Sequence, residues 1–518
     1  MLCEKTPPKA EPSPTPQSAP RAGNRCARRD PAGLLRRLRQ KLHGGRLCID
    51  SFQRRAARVY RAAGLPLRAA MLAENPDGEL QTLTDAPPAC TLTMMVRDEE
   101  ENIVEALDSV DLLFDEMVIC DTGSQDATVD RARRYGVRMS SRPWDDDFSA
   151  PRNQAIDASR GEWIFWMDAD DRLVESEPGA LRRVWLSSPP ACYLLTVINR
   201  IGSSQGSSFL QARLFPRLPT VRFERRIHEQ IIPSLQRAAV PFRILEEVVV
   251  EHHGYGDAQT ARCKSERNAR MIRRELACCP DDPLLLLSLG DALFVKSDWT
   301  GACEVYRRLA QLPNLYARHA DVWGQAHYNL ALTLLRTANP GEARVLLHRV
   351  VDTEPDRIEA WYRLGCLYKE RLQRDHARFC FERALGQTPR LRTTAANNEQ
   401  TQRSAVTELS AVLLEEQNWT AGLTWIARGL ERWPGDNALL ILQGTILLHQ
   451  RDLAGATRCF MRVLEQTQGR SIEALRAMST VYTTLGDNTK SAEFTAVANR
   501  LSETLSAMTP APHPTTSP

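Results

Sequence analysis

Hydrophobic and polar positions follow different patterns in the two halves of this chain. From residue 90 to residue 275, short apolar runs alternate with stretches whose apolar residues recur at helical spacing. Continuous apolar runs are typical of buried parallel strands, and the stretches between them are typical of amphipathic helices. From residue 282 to residue 505, helical stretches rich in Leu and Ala continue without strand signals. The pattern therefore predicts an α/β domain followed by an all-α domain.

Three of the predicted strands end in groups of polar and acidic residues. The runs at residues 91–96, 116–120 and 163–167 each lead into such a group. In an open α/β sheet the C-terminal ends of parallel strands share one edge, and ligands bind there. After the third strand, Asp168 and Asp170 alternate, so both side chains lie on one face of the strand tip. Two carboxylates there suit Mg²⁺ or Mn²⁺, which prefer oxygen ligands.

The all-α half repeats with a period of 34 residues. Pro355 and Pro389 are 34 residues apart, and the same shift maps Tyr328 onto Tyr362. A small residue followed 12 positions later by alanine recurs at Gly290/Ala302, Ala331/Ala343, Gly365/Ala377 and Gly444/Ala456. This is the tetratricopeptide pattern, in which pairs of antiparallel helices stack into a solenoid. Such solenoids bind peptides or partner proteins or drive self-association, and here the repeats could also buttress the preceding domain.

The two ends of the chain differ from its centre. Residues 1–20 are rich in Pro, Ser and Lys and cannot bury enough apolar surface to fold. Residues 25–46 are strongly basic with leucines at helical spacing, so they form a tail, a helix packed on its own domain, or a helix on an anionic membrane surface. We predict a disordered basic tail over residues 1–46, a helical extension over 47–89 and a disordered tail over 506–518.

Composition limits the class of protein further. The net charge is only +3, so bulk electrostatics do not indicate a nucleic-acid partner. The chain has no apolar run of the roughly 18 residues that a spanning helix needs, and its N-terminus lacks the apolar core of a signal peptide. Its 13 cysteines include no CxxC pair, which favours reduced thiols. We therefore expect a cytoplasmic protein.

Four segments of the α/β half, in order and spacing, resemble the family 2 glycosyltransferases of the GT-A fold. They are LTMMVRDEE at 92–100, VICDTGSQD at 118–126, DFSAPRN at 147–153 and WIFWMDAD at 163–170. One departure is Arg97-Asp98, where many relatives have Lys-Asn before the two glutamates. The resemblance implies a Rossmann-like, mostly parallel sheet over residues 90–275, followed by a tetratricopeptide solenoid over residues 282–505.

The same resemblance implies how the nucleotide part of a donor is held. Family members transfer a sugar with inversion from a nucleotide-diphosphate sugar, foremost a UDP-sugar. In this chain Asp98, Glu99 and Asp121 would hold the nucleoside, and Asp168 would bind the diphosphate.

Charge stabilisation is the second implied task. Asp170, together with Asp168, would hold Mn²⁺ or Mg²⁺, which stabilises the diphosphate as it leaves. His252 would add a third metal ligand or a phosphate donor, because neutral imidazole suits Mn²⁺. Arg152 would neutralise the leaving diphosphate, and the neighbouring Asn153 is assigned to the substrate with it.

Inversion in one displacement also needs a general base on the far side of the sugar. The phrases "IHE" at 227–229 and "H-x-G-Y" at 252–255 also occur in the subgroup of the family that carries helical repeats. We assign the base to Glu229, with Glu224 and Asp171 as alternatives.

The acceptor and the partners stay open at this stage. Peptide S- and O-glycosyltransferases resemble this layout, so the acceptor is a peptide or protein, or a saccharide, including one on a membrane lipid. The repeats would recruit that acceptor or make a homo-oligomer. The alternatives are a non-catalytic scaffold and a nucleotide-sugar-binding protein with a degenerate transferase domain.

Overall fold

The computed structural model describes residues 89–508 except 178, 202–203 and 255–257, together with the isolated positions 38, 56 and 57. The predictions for the N-terminal tail and for residues 509–518 lie outside these residues, as does nearly all of the helical extension. Within the described residues, none of the helices is both long and apolar enough to cross a bilayer.

The first half alternates strands and helices as the apolar pattern predicts. Its elements are β1 (Cys90–Val96), α1 (Ile103–Ser109), β2 (Glu116–Asp121), α2 (Thr128–Arg133), β3 (Arg138–Ser141), α3 (Ser149–Ala158), β4 (Trp163–Met167), β5 (Asp171–Glu175), α4 (Ala180–Ser187), β6 (Cys192–Ile201), β7 (Ser204–Pro216), α5 (Ile232–Arg237) and β8 (Phe242–His252). Strands β1, β2 and β4 are almost wholly buried, which explains their continuous apolar sequences.

These strands form one mixed sheet of eight strands in the described residues. Their order is β3-β2-β1-β4-β7-β6-β8-β5. Strands β1 to β4 run parallel to one another, and β7 runs antiparallel to β4. The α/β prediction is confirmed, and β5 to β8 extend the predicted parallel part with both parallel and antiparallel pairs.

The sheet register decides what surrounds the tip of β4. The C-terminal ends of β1, β2 and β4 lie at one edge, as expected for parallel neighbours. Strand β8 pairs antiparallel with β5 so that His252 lies opposite Asp171. The last residue of β8 is thereby brought beside the turn that follows β4.

The second half is helical to its described end. It contains α6 (Ala258–Cys278), α7 (Pro283–Val295), α8 (Trp299–Ala310), α9 (Leu315–Arg318), α10 (Ala320–Arg336), α11 (Pro340–Thr353), α12 (Ile358–Glu370), α13 (Arg374–Gly386), α14 (Asn398–Glu415), α15 (Trp419–Arg432), α16 (Asn437–His449), α17 (Leu453–Gln466), α18 (Ile472–Thr484) and α19 (Asn488–Met508).

The recurring small residues mark close helix packing. A Cβ added at Gly290 would lie 2.4 Å from the ring of Tyr306, and one at Gly365 would lie 2.5 Å from the ring of Phe381. Gly444 has the same relation to Phe460. Each aromatic ring therefore occupies the space that a side chain on the facing helix would need, which explains why the pattern requires a small residue there.

The two halves pack against each other. Ile227, from the α/β half, belongs to the same buried cluster as Met271 and Leu285 of the helical half. A second contact is made along β7, where the amide of Leu210 donates to the carbonyl of Arg392 at 2.7 Å. The helical half is thus in direct contact with the domain that carries the strand-end residues.

Candidate active site

Arg152 links two of the predicted site residues. It lies in the first turns of α3, and its side chain is only 6% exposed. Its Nη2 donates to Asp168 Oδ1 and its Nε donates to Glu229 Oε1, both at 2.7 Å. The guanidinium lies 4.3 Å from the centre of the Trp166 ring. Although burial opposes the charge, the two carboxylates raise the pKa of Arg152, so it stays protonated.

One nitrogen of this guanidinium points to a ligand. Arg152 Nη1 is buried and has no hydrogen-bond partner among the described residues. Leaving a buried donor without a partner is costly, and buried polar groups without one call for an explanation such as a ligand or water. An anion bound at the tip of β4 would supply that partner.

Asn153, which the sequence assigned to the substrate, makes two hydrogen bonds to Phe223. Its Nδ2 donates to the carbonyl of Phe223 at 2.9 Å, and its Oδ1 accepts from the amide of the same residue at 2.8 Å. Both ends of the side-chain amide are therefore used to fasten the segment that leads to Glu229. The structure places Asn153 as a support of this segment.

Asp170, Asp171 and His252 form a compact group with metal-ligand chemistry. Their ligand atoms all lie within 4.8 Å of one another. His252 Nδ1 lies 2.9 Å from Asp171 Oδ1 and 3.4 Å from Asp170 Oδ1. Asp168, which the sequence placed in the metal set, is paired with Arg152, and its role at a metal stays a prediction.

Asp171 fixes the orientation of the His252 ring. It is fully buried, and its Oδ2 accepts from Arg213 Nη1 at 2.8 Å and from the amide of Asp168 at 2.9 Å. Its Oδ1 lies 2.9 Å from His252 Nδ1. A carboxylate behind a histidine in this way fixes ring orientation at many metal sites. With both oxygens used, Asp171 fits this orienting task better than that of a base.

The three groups shift one another's proton affinity. Burial raises the pKa of Asp170 to about 6, helped by the neighbouring carboxylates of Asp168 and Asp171 and opposed by His252. Burial disfavours charge on His252, but its bond to Asp171 and the charge of Asp170 raise its pKa to about 9. Burial also opposes charge on Asp171, yet Arg213 and His252 lower its pKa to about 2. With a pKa of about 9, the imidazole of His252 carries a proton at neutral pH, so binding of a metal ion there would release that proton.

Gly254 lies directly against Asp170 and His252. A methyl group at this residue would lie 2.2 Å from Asp170 Oδ2 and 2.6 Å from His252 Nε2. Any larger residue would therefore push these two side chains apart. The carboxylate and imidazole atoms of this group suit Mn²⁺ or Mg²⁺.

The residues predicted to hold the nucleoside join the loops after β1 and β2. Asp98 Oδ1 accepts from the amide of Gln125 at 2.7 Å, and the amide of Asp98 donates to Ser124 Oγ at 3.1 Å. Asp121 Oδ1 accepts from the hydroxyl of Ser124 at 2.6 Å. Glu99 Oε2 accepts from Asn102 at 2.8 Å. These carboxylates shape the loops at the sheet edge.

The two glutamates proposed as bases differ in their surroundings. Glu229 lies beside Arg152, and its side chain is 14% exposed. Glu224 is more exposed and pairs with Arg237 of α5. Glu229 is thus the one that the fold brings to the residues around Asp168.

Sequence reasoning did not assign two residues that the structure adds to the site. Arg213 is buried, pairs with Asp171 and lies 3.9 Å from the centre of the Trp166 ring. Gly254 lies next to Asp170 in the fold, and only the "H-x-G-Y" phrase marked it in the sequence.

Comparisons with known proteins agree with this architecture. The model of glycosyl transferase family 2 matches residues 91–235, and a tetratricopeptide repeat model matches residues 358–390. A TPR repeat-containing protein of Synechococcus elongatus is 33% identical over 293 residues, which cover 55% of this chain and 72% of that protein.

Two further similarities each cover about half of this chain. The glycosyltransferase SunS of Bacillus subtilis, derived from the SPbeta prophage, is 27% identical over 48% of this chain and 58% of its own length. The C-terminal part of a TPR repeat-containing protein of Cytophaga hutchinsonii matches 48% of this chain and 96% of that structure, at 13% identity and a TM-score of 0.37. The chain carries a domain of glycosyl transferase family 2, followed by tetratricopeptide repeats.

Proposed function

We propose that the protein is an inverting glycosyltransferase that moves a sugar from a nucleotide-diphosphate sugar, foremost a UDP-sugar, to a peptide, protein or saccharide acceptor. The observation that carries this proposal is Arg152, held between Asp168 and Glu229 with a buried Nη1 that has no partner in the described part of the chain. It lies at the strand edge where α/β sheets bind ligands.

The transfer requires stabilisation of the negative charge that develops on the leaving diphosphate. The bond between the anomeric carbon and the diphosphate oxygen breaks while the acceptor atom attacks from the opposite face. The diphosphate then carries an additional negative charge, which Arg152 Nη1 stabilises without moving a proton. Trp166 supports the guanidinium at its ring face and so limits its movement.

Asp170 and His252 would hold Mn²⁺ or Mg²⁺ beside that diphosphate. When bound, such an ion acts as a Lewis acid on the phosphate oxygens. Asp171 keeps Nε2 of His252 directed toward the ligand side, and Arg213 keeps Asp171 ionised. In this proposal Asp98, Glu99 and Asp121 form the loops that contact the nucleoside.

Glu229 would take the proton of the acceptor. Its carboxylate accepts from Arg152 Nε at 2.7 Å, whereas the diphosphate would bind Nη1 of the same guanidinium. A polypeptide acceptor is favoured, because solenoids of this kind commonly bind peptides.

A second candidate function is binding of a nucleotide sugar without transfer. The ion pair between Glu229 and Arg152 favours it, since a carboxylate that stays paired with a guanidinium is a poor base. A sensor or scaffold of this kind would bind donor and metal but release no nucleoside diphosphate.

The test is release of nucleoside diphosphate from UDP-, GDP- and dTDP-sugars, with Mn²⁺ and with EDTA. We expect release from one donor that needs metal and disappears in Asp170→Ala. The control is Asp375→Ala, which removes an exposed aspartate of α13 in the helical half. Donor binding without release, in the presence of candidate acceptor peptides, would favour the second function.

Glu229→Gln separates the base from the binding residues. We expect it to abolish turnover while the dissociation constant of the donor changes little, because the amide cannot accept the proton. Full turnover in this variant would contradict the assignment of the base and leave the transferase function in place.

A further inference from the structure

The short loop before Glu229 is fixed from the transferase side by backbone contacts. Ser149 Oγ, at the start of α3, donates to the carbonyl of Arg225 at 2.5 Å. The amide of Phe148 donates to the carbonyl of Arg226 at 2.8 Å. Together with the bonds of Asn153 to Phe223, these contacts place the loop beside the helix that carries Arg152.

The helical half holds the other side of the same loop. Glu275 Oε1, near the end of α6, accepts from the amide of Arg226 at 2.6 Å. Asp282 Oδ2, just before α7, accepts from Arg225 Nη2 at 2.5 Å. Ile227 is buried in the core of the helical half. Three successive residues of the loop are therefore bound by the helical half of the chain.

The backbone of this loop needs such support. Arg225 has a φ of 77° and His228 has a φ of 51°, both in the left-handed region that residues with a Cβ seldom adopt. Strained conformations of this kind persist only where surrounding contacts fix them. His228 directly precedes Glu229, so relaxation of the loop would move the carboxylate away from Arg152.

We propose that Asp282 and Glu275 are positioning residues for Glu229, so that the first helices of the repeat domain complete the active site of the transferase domain. This inference rests on the proposed function of Glu229. The repeats would then act on catalysis directly, through the loop at 223–229, in addition to any role in recruiting an acceptor.

Asp282 offers a clean test because its two oxygens have separate tasks. Oδ1 caps α7 by accepting from the amides of Leu284 and Leu285, both at 3.0 Å. Oδ2 pairs with Arg225. Asparagine caps helices about as well as aspartate, but its neutral amide cannot form the ion pair. Asp282→Asn therefore removes the loop contact while keeping the helix start.

The matched control is Asp298→Asn. Asp298 caps α8 by accepting from the amide of Gly301 at 3.0 Å, and among the described residues it makes no hydrogen bond or ion pair with the 223–229 loop. The readout is release of nucleoside diphosphate, as kcat and as KM for the donor. We expect Asp282→Asn to lower kcat by about 10- to 100-fold, the usual effect of a small misplacement of a catalytic group, with donor KM within about twofold. Asp298→Asn should match the wild type.

A double-mutant cycle tests the pair itself and remains usable if one variant folds poorly. Arg225→Met should lower kcat as Asp282→Asn does, and the double variant should lose little more, because the two residues act through one contact. Additive losses, or a kcat of Asp282→Asn equal to that of Asp298→Asn, would overturn the positioning role. Glu229→Gln, measured alongside, must be inactive, since full activity there would remove the base and this inference together.

Discussion

Gly254→Ala should weaken metal binding without unfolding the protein. The added methyl group would lie 2.2 Å from Asp170 Oδ2 and 2.6 Å from His252 Nε2. Nonbonded heavy atoms settle at separations of about 3.5 Å, so the two groups must each move by roughly 1 Å. The movement separates the two atoms that would hold the ion.

The size of the effect follows from the cost of overpacking. One additional methyl group in a closely packed site costs about 1–3 kcal/mol, and here it acts against closure of Asp170 and His252 around the ion. Because about 1.4 kcal/mol corresponds to a tenfold change in affinity, the affinity for Mn²⁺ should fall by about 5- to 150-fold. Metal-dependent release of nucleoside diphosphate should fall with it.

Calorimetric titration with Mn²⁺ measures this affinity directly, and thermal unfolding in EDTA checks the fold. The control is Gly341→Ala in α11, where an added Cβ meets no atom within 4 Å. This control should bind Mn²⁺ as the wild type does. If Gly254→Ala binds Mn²⁺ with wild-type affinity, Asp170 and His252 do not hold the ion together and the reasoning is refuted.

Three other predictions concern the charges around this site. Arg152→Lys keeps the charge but cannot bind Asp168 and Glu229 together, so turnover should fall about 100-fold or more in the diphosphate-release assay, and near-normal turnover would contradict it. Asp171→Asn breaks a buried ion pair and should lower the free energy of unfolding by about 3–5 kcal/mol in urea titrations. Because the pKa of Asp171 is lowered from 3.8 to about 2, the wild type should also lose stability as pH falls through that range, and the variant should not. The pKa of His252 is raised from 6.5 to about 9. In EDTA, the stability that this shift contributes should be present below pH 6.5 and be lost as pH rises through 9. Melting temperatures in a pH series would check this.

The parallel part of the sheet and the helix pairs could be read from the sequence. Strands β1, β2 and β4 are buried on both faces, so their sequences are continuous apolar runs that local pattern alone identifies. The helix pairs repeat because Gly365 must admit the ring of Phe381, and the same constraint recurs at Gly290 and Gly444. The apolar runs and the repeated glycines each appear within a short stretch of sequence, so they can be recognised without the fold.

The grouping of acids at the strand ends was also predictable in outline. Parallel strands share an edge, so residues after β1, β2 and β4 had to lie near one another. Which of them pair was not predictable. Asp168 bonds to Arg152, while Asp170 lies with His252, because the turn after β4 directs the two carboxylates to different partners.

Only the tertiary structure decided the long-range contacts of the site. His252 reaches Asp171 through the pairing of β8 with β5, 81 residues away, and no local pattern records that register. The contacts of Arg225 with Asp282 and of Arg226 with Glu275 join two domains. The sequence by itself determined which elements form and which residues lie at their ends, because those depend on periodicity and turn chemistry. The fold decided which of those ends meet, because that depends on strand pairing and on packing between the two halves.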